Sequence, residues 1–356
     1  MEETRITVKE IARLAGVSIG TVDRVLHDRG GVSLSTKRRI DEIIGSLGYE
    51  PNMLARQLSL NRNYEFRALL PHSGQDSGYW ALCLEGVQRA AKELSPYRVR
   101  VRVDQFDRYD RQAYGRLLED VVRQPCDGLL IAPVLPRELA PALERLKGLI
   151  PYVFFDGSVE GAAPIATIGQ DAFRAGCLAG RVMSLLAGGS YPLVALNAHA
   201  EDSHIRLRIK GFASFFGGQG AGPNDVFMRD FFETEDTEAY GAYLDALFDA
   251  LPGIRGILVA NASGHIVGDW LVRKGLKTDC RLVAWDLVPA NVHALSTGAI
   301  DCLVSQRPAD QAKEGLERLF RSVVHRAEVG GVLKMPLDLF FKENLPEPAQ
   351  EPAAGT

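Results

Sequence analysis

The chain has 356 residues, of which 46% are hydrophobic and 24% charged, with a formal net charge of −4 at pH 7. That length can build two or three ordinary domain cores, and the acidic balance excludes a wholly basic nucleic-acid binder, so any phosphate contact must be confined to one stretch. No apolar run reaches the roughly 20 residues of a membrane span, MEETRITVKE lacks the apolar core of a secretory signal, and Cys83, Cys126, Cys177, Cys280 and Cys302 form no CxxC pair, which reads as reduced thiols in the cytoplasm.

Charge is unevenly placed from the start. Residues 4–62 carry ten Lys/Arg against six Asp/Glu, so a small basic head precedes an acidic body. Thr7 and Glu10 form a T-x-x-E capping signature, and Val8, Ile11, Ala12 and Ala15 follow at helical spacing. Gly16 has the character of a helix-ending residue. Ser18 then caps a second helix expected to begin about three residues later, with Val22 and Val25 turned inward. Two short helices joined by A-G-V-S make the helix-turn-helix pattern, whose second helix enters the major groove. A third helix, capped near Ser33 or Ser35, runs through Ile40, Ile43, Ile44 and Leu47 to Gly48. Its first turn holds Thr36, Lys37, Arg38 and Arg39, a cluster suited to phosphates. Next comes YEPNMLARQL (49–58), where Pro51 suits the first turn of a helix about eight residues long. Such a helix is marginal alone and needs a partner to fold against.

The segments V-K-E-I-A-R-L-A-G-V-S-x-x-T-V-x-R-V-L and G-Y-x-P-N-x-x-A-R-x-L, in that order and spacing, closely resemble the head and hinge of the LacI/GalR repressors. The resemblance implies that Ile19, Gly20 and Arg24 face base edges, while Thr7, Ser18, Thr21, Thr36 and Asn52 hold phosphates. It also implies hinge helices that pair from two subunits in the minor groove, with Ala55 and Leu58 at the contact and Leu58 as the kinking wedge. Two residues depart from the pattern. Asp23 stands where relatives commonly carry a small hydroxyl, and Gly20 removes a base-reading side chain, so base readout at those positions departs from the family pattern.

Beyond the hinge, strand-like runs at 66–71, 99–106, 128–133, 152–156, 191–197, 256–261, 281–286 and 301–306 alternate with helix-like stretches at 79–94, 110–124, 172–187, 204–216, 237–250, 264–274 and 308–325. Alternation over some 280 residues predicts parallel sheets flanked by helices, too long for one core and therefore two α/β lobes. Ligands of such sheets bind at the carboxyl ends of strands. Asp156, Asn261, Asp286 and Gln306 occupy such ends, each being a simple loop cap when taken singly. The predicted organisation is a head over 4–50, a hinge over 51–63, a two-lobed effector and dimerisation body over 64–345, and a Pro/Ala-rich disordered tail over 346–356.

The body is similar to the periplasmic sugar-binding fold in its ribose-binding form, on the strength of L-E-G-V-Q-R-A-A, D-G-L-L-I-A-P, S-H-I-R-L-R-I-K-G-F, V-A-W-D, L-S-T-G-A-I-D-C-L-V-S-Q-R-P and P-L-D-L-F-F-K-E-N-L. By that resemblance Tyr79 and Trp80 lie against a sugar-like ring, although a buried Trp80 could equally be core packing. Asp156 and Asp286 accept from hydroxyls, Arg208 (or else Arg206) supplies a planar donor fork, and Asn261 and Gln306 both donate and accept. Such a shell suits a neutral sugar or cyclitol better than an anion.

Other signals are weak. His199, Glu201, Asp202 and His204 are metal-ligand types without a ligating spacing. The glycine-rich 217–222 lacks the Lys-Ser/Thr of a phosphate loop. Neither a Ser-His-Asp order nor H-E-x-x-H stands out, so neither an enzyme nor a bound cofactor is expected. The sequence predicts a regulator, most simply a homodimeric repressor of carbohydrate genes on near-palindromic operator DNA, since no C-terminal leucine heptads support a tetramer. A transport solute-binding protein would lack the head, and a sugar-modifying enzyme would need a catalytic constellation.

Overall fold

The computed structural model describes residues 7–26, 30–47, 62–124, 126–188, 192–199, 201–217, 226–232 and 236–345. The hinge residues Asn52, Ala55 and Leu58 and the tail from 346 lie outside the described residues. The chain divides into two compact units between Arg62 and Asn63.

The first unit contains α1 (Val8–Ala15), α2 (Ile19–Leu26) and α3 (Leu34–Leu47). Thr7 accepts from the Glu10 amide at 3.3 Å, and Gly16 ends α1 at φ 62° in the left-handed conformation that a side chain would resist. Ser18 accepts from the Thr21 amide at 3.2 Å, so α2 starts at Ile19, directly after its cap and not three residues beyond it. Ser33, not Ser35, caps α3 through the Thr36 amide at 3.2 Å. Ile11, Ala12, Ala15, Val22, Val25 and Ile40 make the small shared core.

In the second unit the chain builds two six-stranded sheets with matching order. The first lobe contains β1 (Tyr64–Pro71), β2 (Val99–Phe106), β3 (Gly128–Ile131), β4 (Tyr152–Phe155), β5 (Ala166–Gly169) and β11 (Val332–Lys334), arranged β11-β5-β4-β3-β1-β2 and parallel throughout. The second lobe contains β6 (Leu193–Asn197), β7 (Val226–Asp230), β8 (Gly256–Val259), β9 (Arg281–Trp285), β10 (Cys302–Ser305) and β12 (Asp338–Phe340). Their order is β12-β10-β9-β8-β6-β7, with only β12 antiparallel to its neighbour. The short buried runs YVFF, GILV and CLVS are fully covered, as strands with helices on both faces must be.

Helices α4 (Tyr79–Leu94), α5 (Arg111–Arg123), α6 (Pro136–Leu146) and α12 (Pro308–Val323) accompany the first sheet. With the second go α7 (Ala172–Ala187), α8 (Ser203–Gly217), α9 (Thr237–Ala250), α10 (Gly264–Arg273) and α11 (Pro289–Ser296). The chain thus passes between lobes three times, after β5, after β10 and after β11. Side chains tie these passages together. Gln170 of the first meets Gln306 of the second at 2.5 Å, Arg307 of the second grips Asp338 beyond the third through two bonds of 2.7 and 3.0 Å, and Lys334 reaches back to Asp171 at 2.6 Å. Helices α4 and α12 cross so closely that a Cβ on Gly86 would stand 1.9 Å from the Ala309 carbonyl oxygen, so only glycine fits there. That crossing fixes α4, which carries Tyr79 and Trp80, against the helix that follows Gln306.

Strands β5, β7, β11 and β12 and helices α6 and α11 were not among the predicted elements. Strands β7, β11 and β12 are short, half-exposed edges, β5 is a four-residue interior strand without a hydrophobic run, and both helices open on proline, with Pro141 breaking the pattern inside α6.

Candidate functional site

The strand carboxyl ends of both lobes face one cleft. Its inner chamber is lined by Asp76, Tyr79, Trp80, Arg108, Asp156, His199, Asp202, His204, Ile205, Arg208, Asn261, Ala262, Asp286 and Gln306, and leaves about 30 Å³ free. Seven of the eight predicted ligand residues are directly in this wall. Arg206 instead sits exposed at the mouth of an adjoining outer chamber, so the buried Arg208 is the guanidinium that enters the site. Tyr79 and Trp80, at the first turn of α4, are both buried, with rings edge to face at 5.0 Å.

Asp156 follows β4 and Asp286 follows β9, the equivalent strands of the two sheets. Both carboxylates are buried, and each has one oxygen, Oδ1, with no hydrogen-bond partner. Burial pushes the Asp286 carboxyl up to about 7 against the pull of Arg208. Arg208 donates to the Ala260 carbonyl at 2.7 Å and to Gln306 Oε1 at 2.8 Å, and its guanidinium lies 4.7 Å over the Trp285 ring. Burial also lowers its proton affinity from the ordinary arginine value. Gln306 donates to the Tyr79 hydroxyl at 3.0 Å and to Asp286 Oδ2 at 3.1 Å, which joins the lobes across the chamber floor. Asn261 turns its oxygen to the Ser263 hydroxyl at 2.9 Å.

A second set of residues was not placed in the ligand shell by sequence reasoning, which weighed His199 and Asp202 only as weak metal-ligand types. Asp76, held at φ 53° after β1, accepts from the Trp80 indole at 2.6 Å and from Arg108. Arg108 also donates across the cleft to Asp202 at 2.9 Å, while His199 Nε2 stands 3.4 Å from Asp76 Oδ1. Burial alone would raise Asp202, but Arg108 outweighs it and holds the carboxyl at about 2. Burial, reinforced by Arg108, lowers His199 and keeps the imidazole neutral at pH 7. The carboxyl-end rule that found Asp156 would also have found Asp76, Arg108 and His199 if applied after β1, β2 and β6. Among the described residues no group of three or more His, Cys, Asp or Glu is placed to hold a metal, and no helix is long and apolar enough to cross a membrane.

In chemical terms the chamber offers four carboxylates and two guanidiniums, plus amides, around an aromatic wall. An anion would meet more acid than base. Hydroxyl groups, by contrast, would supply the donors that Asp156 and Asp286 lack, since an unsatisfied buried acceptor costs about 1–3 kcal/mol.

In the first unit, α2 buries Val22 and Val25 and exposes Ile19, Gly20 and Arg24 on its other side. Ile19, at 53% exposure, is a large apolar side chain left in solvent at a helix start. Thr7, Ser18, Arg38 and Arg39 are exposed, with Thr21 and Thr36 half-buried.

Residues 67–324 match the model of the periplasmic binding protein domain, and residues 7–52 match that of the bacterial regulatory proteins of the lacI family. The chain is 26% identical to the ribose operon repressor of Escherichia coli K12 over 58% of its own length, and the match spans 60% of that relative. It is 23% identical to the ribose operon repressor of Bacillus subtilis over 93% of its length and 96% of the relative. Among solved structures it resembles a putative LacI transcriptional regulator from Bacteroides fragilis, with 25% identity, a TM-score of 0.73, and coverage of 80% of this chain and 98% of the other.

Proposed function

Because this chain belongs to the periplasmic binding protein domain family through most of its length and carries a lacI-family head, we propose that it is a transcription regulator that binds operator DNA and answers to a small neutral sugar or cyclitol. The head over 4–50 reads the operator, with Ile19, Gly20 and Arg24 at base edges and Thr7, Ser18, Thr21 and Thr36 on phosphates. An exposed isoleucine suits a thymine methyl and an exposed arginine a guanine edge. Asn52, Ala55 and Leu58 serve the hinge, paired between two copies of the chain in a homodimer acting in the cytoplasm. Repression is its ordinary mode, in keeping with the names of the relatives.

The observation that carries the effector reading is the pair of buried, unpartnered carboxylate oxygens on Asp156 and Asp286, one from each lobe. A polyol that donates to both stabilises the closed cleft over the open one. A ligand shifts an equilibrium only by such a difference in affinity. Tyr79 and Trp80 wall the ring, Arg208 and Gln306 set its orientation, Asn261 completes the inner wall, and Arg206 stands at the mouth of the outer chamber. Tied passages between lobes favour a hinge-like closure, through which ligand would bias the segment that leads to the head.

The test is to select duplexes from a random pool with the full chain and then to titrate the selected operator with and without a panel of pentoses, hexoses and cyclitols. A near-palindrome whose affinity changes with at least one neutral sugar is the expected result. Failure to enrich any sequence sinks the regulator reading, and a sequence that no polyol affects sinks the effector reading.

A further inference from the structure

Beside the inner chamber, and sharing Trp80, Asp156, Asp202 and His204 with it, lies an outer chamber of about 220 Å³. Its remaining wall comes from both lobes: Pro133, Val134, Pro136, Gly157, Ser158, Val159 and Glu160 from the first, and Glu201, Ser203 and Arg206 from the second. We propose that this chamber is a second subsite, so that the effector is a neutral two-ring glycoside whose first ring occupies the inner chamber and whose second ring occupies the outer one. The proposal rests on the effector reading above and adds the size and shape of the ligand.

Three observations carry it. First, the space is unequal: the inner chamber has room for little more than water until the lobes part, whereas the outer one already holds a ring-sized void. Second, the outer wall has its own unmet acceptor. Glu201 Oε1 takes the Arg111 guanidinium at 2.8 Å, while its other oxygen, Oε2, is buried without a hydrogen bond. Together with Asp156 Oδ1 it places one donor-seeking carboxylate oxygen on each lobe. Third, the wall is chemically graded. Pro133, Val134, Pro136, Val159 and Trp80 are apolar, as a ring face requires; with Glu201 and Asp202 already paired to Arg111 and Arg108, Asp156 and Glu160 still outnumber Arg206. That acidic excess opposes a phosphorylated or carboxylated second ring and favours hydroxyls. Gly157 keeps the space open: a Cβ there would lie 3.3 Å from the Pro133 ring and 3.8 Å from His204 Nδ1, so any larger side chain must project into the void or displace its wall.

Isothermal titration of the full-length protein with D-ribose, D-glucose, D-galactose and myo-inositol on one side, and maltose, cellobiose, lactose and sucrose on the other, tests this. At least one disaccharide should bind ten-fold or more tighter than its constituent monosaccharides. Gly157→Leu should erase that advantage and leave monosaccharide affinity within about two-fold. Ser158→Tyr, at an exposed position of the same wall, should act in the same direction if Gly157→Leu does not fold. Monosaccharides that bind as tightly as every disaccharide would overturn the two-ring ligand but leave the sugar effector standing, as would wall variants that weaken both sets equally. No binding by any sugar would overturn both.

Discussion

Asp156 and Asp286 occupy corresponding corners of the two lobes. Each follows the third strand of its sheet, at φ 65° and 64° respectively. Each also donates its amide to the adjacent strand, Asp156 to Ile168 and Asp286 to Val304. A left-handed conformation costs a residue other than glycine about 1–3 kcal/mol, least for Asp and Asn, and persists only where the surroundings enforce it. Here the turn lifts each carboxylate off the strand end and into the cleft, so the same local device is used twice, once from each side of the cleft.

The two carboxylates differ in their proton affinity, which yields a prediction. Asp286 is held at about 7, so the folded protein binds its proton more tightly than the unfolded chain does. The contribution of this group to stability is therefore full in the acid range, falls as pH rises from the ordinary carboxylate range towards 7, and stays lost above 7. Asp286→Asn keeps the shape and an oxygen to accept from Gln306 while removing the buried charge. The variant should melt above the wild type at pH 8, by an amount on the order of a few kcal/mol. That advantage should shrink between pH 7 and pH 5, while sugar binding weakens. A melting difference that does not change with pH would show that Asp286 is not carrying the raised pKa.

Trp80 has two roles that substitution can separate. Its ring walls both chambers and packs edge to face on Tyr79, while its indole N–H holds Asp76 at 2.6 Å. At 1% exposure it also belongs to the lobe core. Trp80→Ala should therefore cost about 3–5 kcal/mol as a core truncation and abolish the effector response together. Trp80→Phe keeps an aromatic wall but strips one donor from Asp76, and should cost about 1–3 kcal/mol while still answering the effector. Melting curves and operator titrations on the same preparations measure the two effects. An alanine variant that responds at the wild-type sugar concentration would remove Trp80 from the ligand wall and leave it as core only.

The sequence displayed the helix-turn-helix and the α/β body because both depend on local patterning. Val22 and Val25 mark the buried side of α2, Gly16 its preceding turn, and YVFFD or VAWD a covered strand ending on a polar residue. The polar residues at those ends, proposed as ligand contacts, were legible for the same reason. The carboxyl-end rule reaches Asp76 and Arg108 only as single loop charges; their pairing, and that of Arg108 with Asp202, shows only when the fold brings residues 32 and 94 positions apart within hydrogen-bonding reach. The outer chamber was likewise invisible, since it is a space between lobes, and the absence of a side chain at Gly157 marks it in sequence only once Pro133 and His204 are known to face it. Even the repeated lobe plan lay hidden: the two halves share strand order and the Asp corner, but their edge strands β7, β11 and β12 are too short or too exposed to be read.

The head offers a test that separates base reading from phosphate holding. Arg24 is exposed on α2, whereas Arg38 is exposed near the start of α3, where its charge would meet the backbone of a duplex without sampling base edges. Arg24→Ala should cost about 1–3 kcal/mol on the selected operator and broaden the preference at one position of each half-site. Arg38→Ala should instead weaken all duplexes alike, because each phosphate contact contributes by releasing a condensed counterion. The slope of log affinity against log salt should accordingly be shallower by about one for Arg38→Ala, while Arg24→Ala leaves it close to the wild-type value. Anisotropy titrations of operator and scrambled duplex at several salt concentrations measure both quantities. If Arg24→Ala weakens operator and scrambled DNA equally, α2 does not read bases, and the orientation of the head on the duplex must be reassigned.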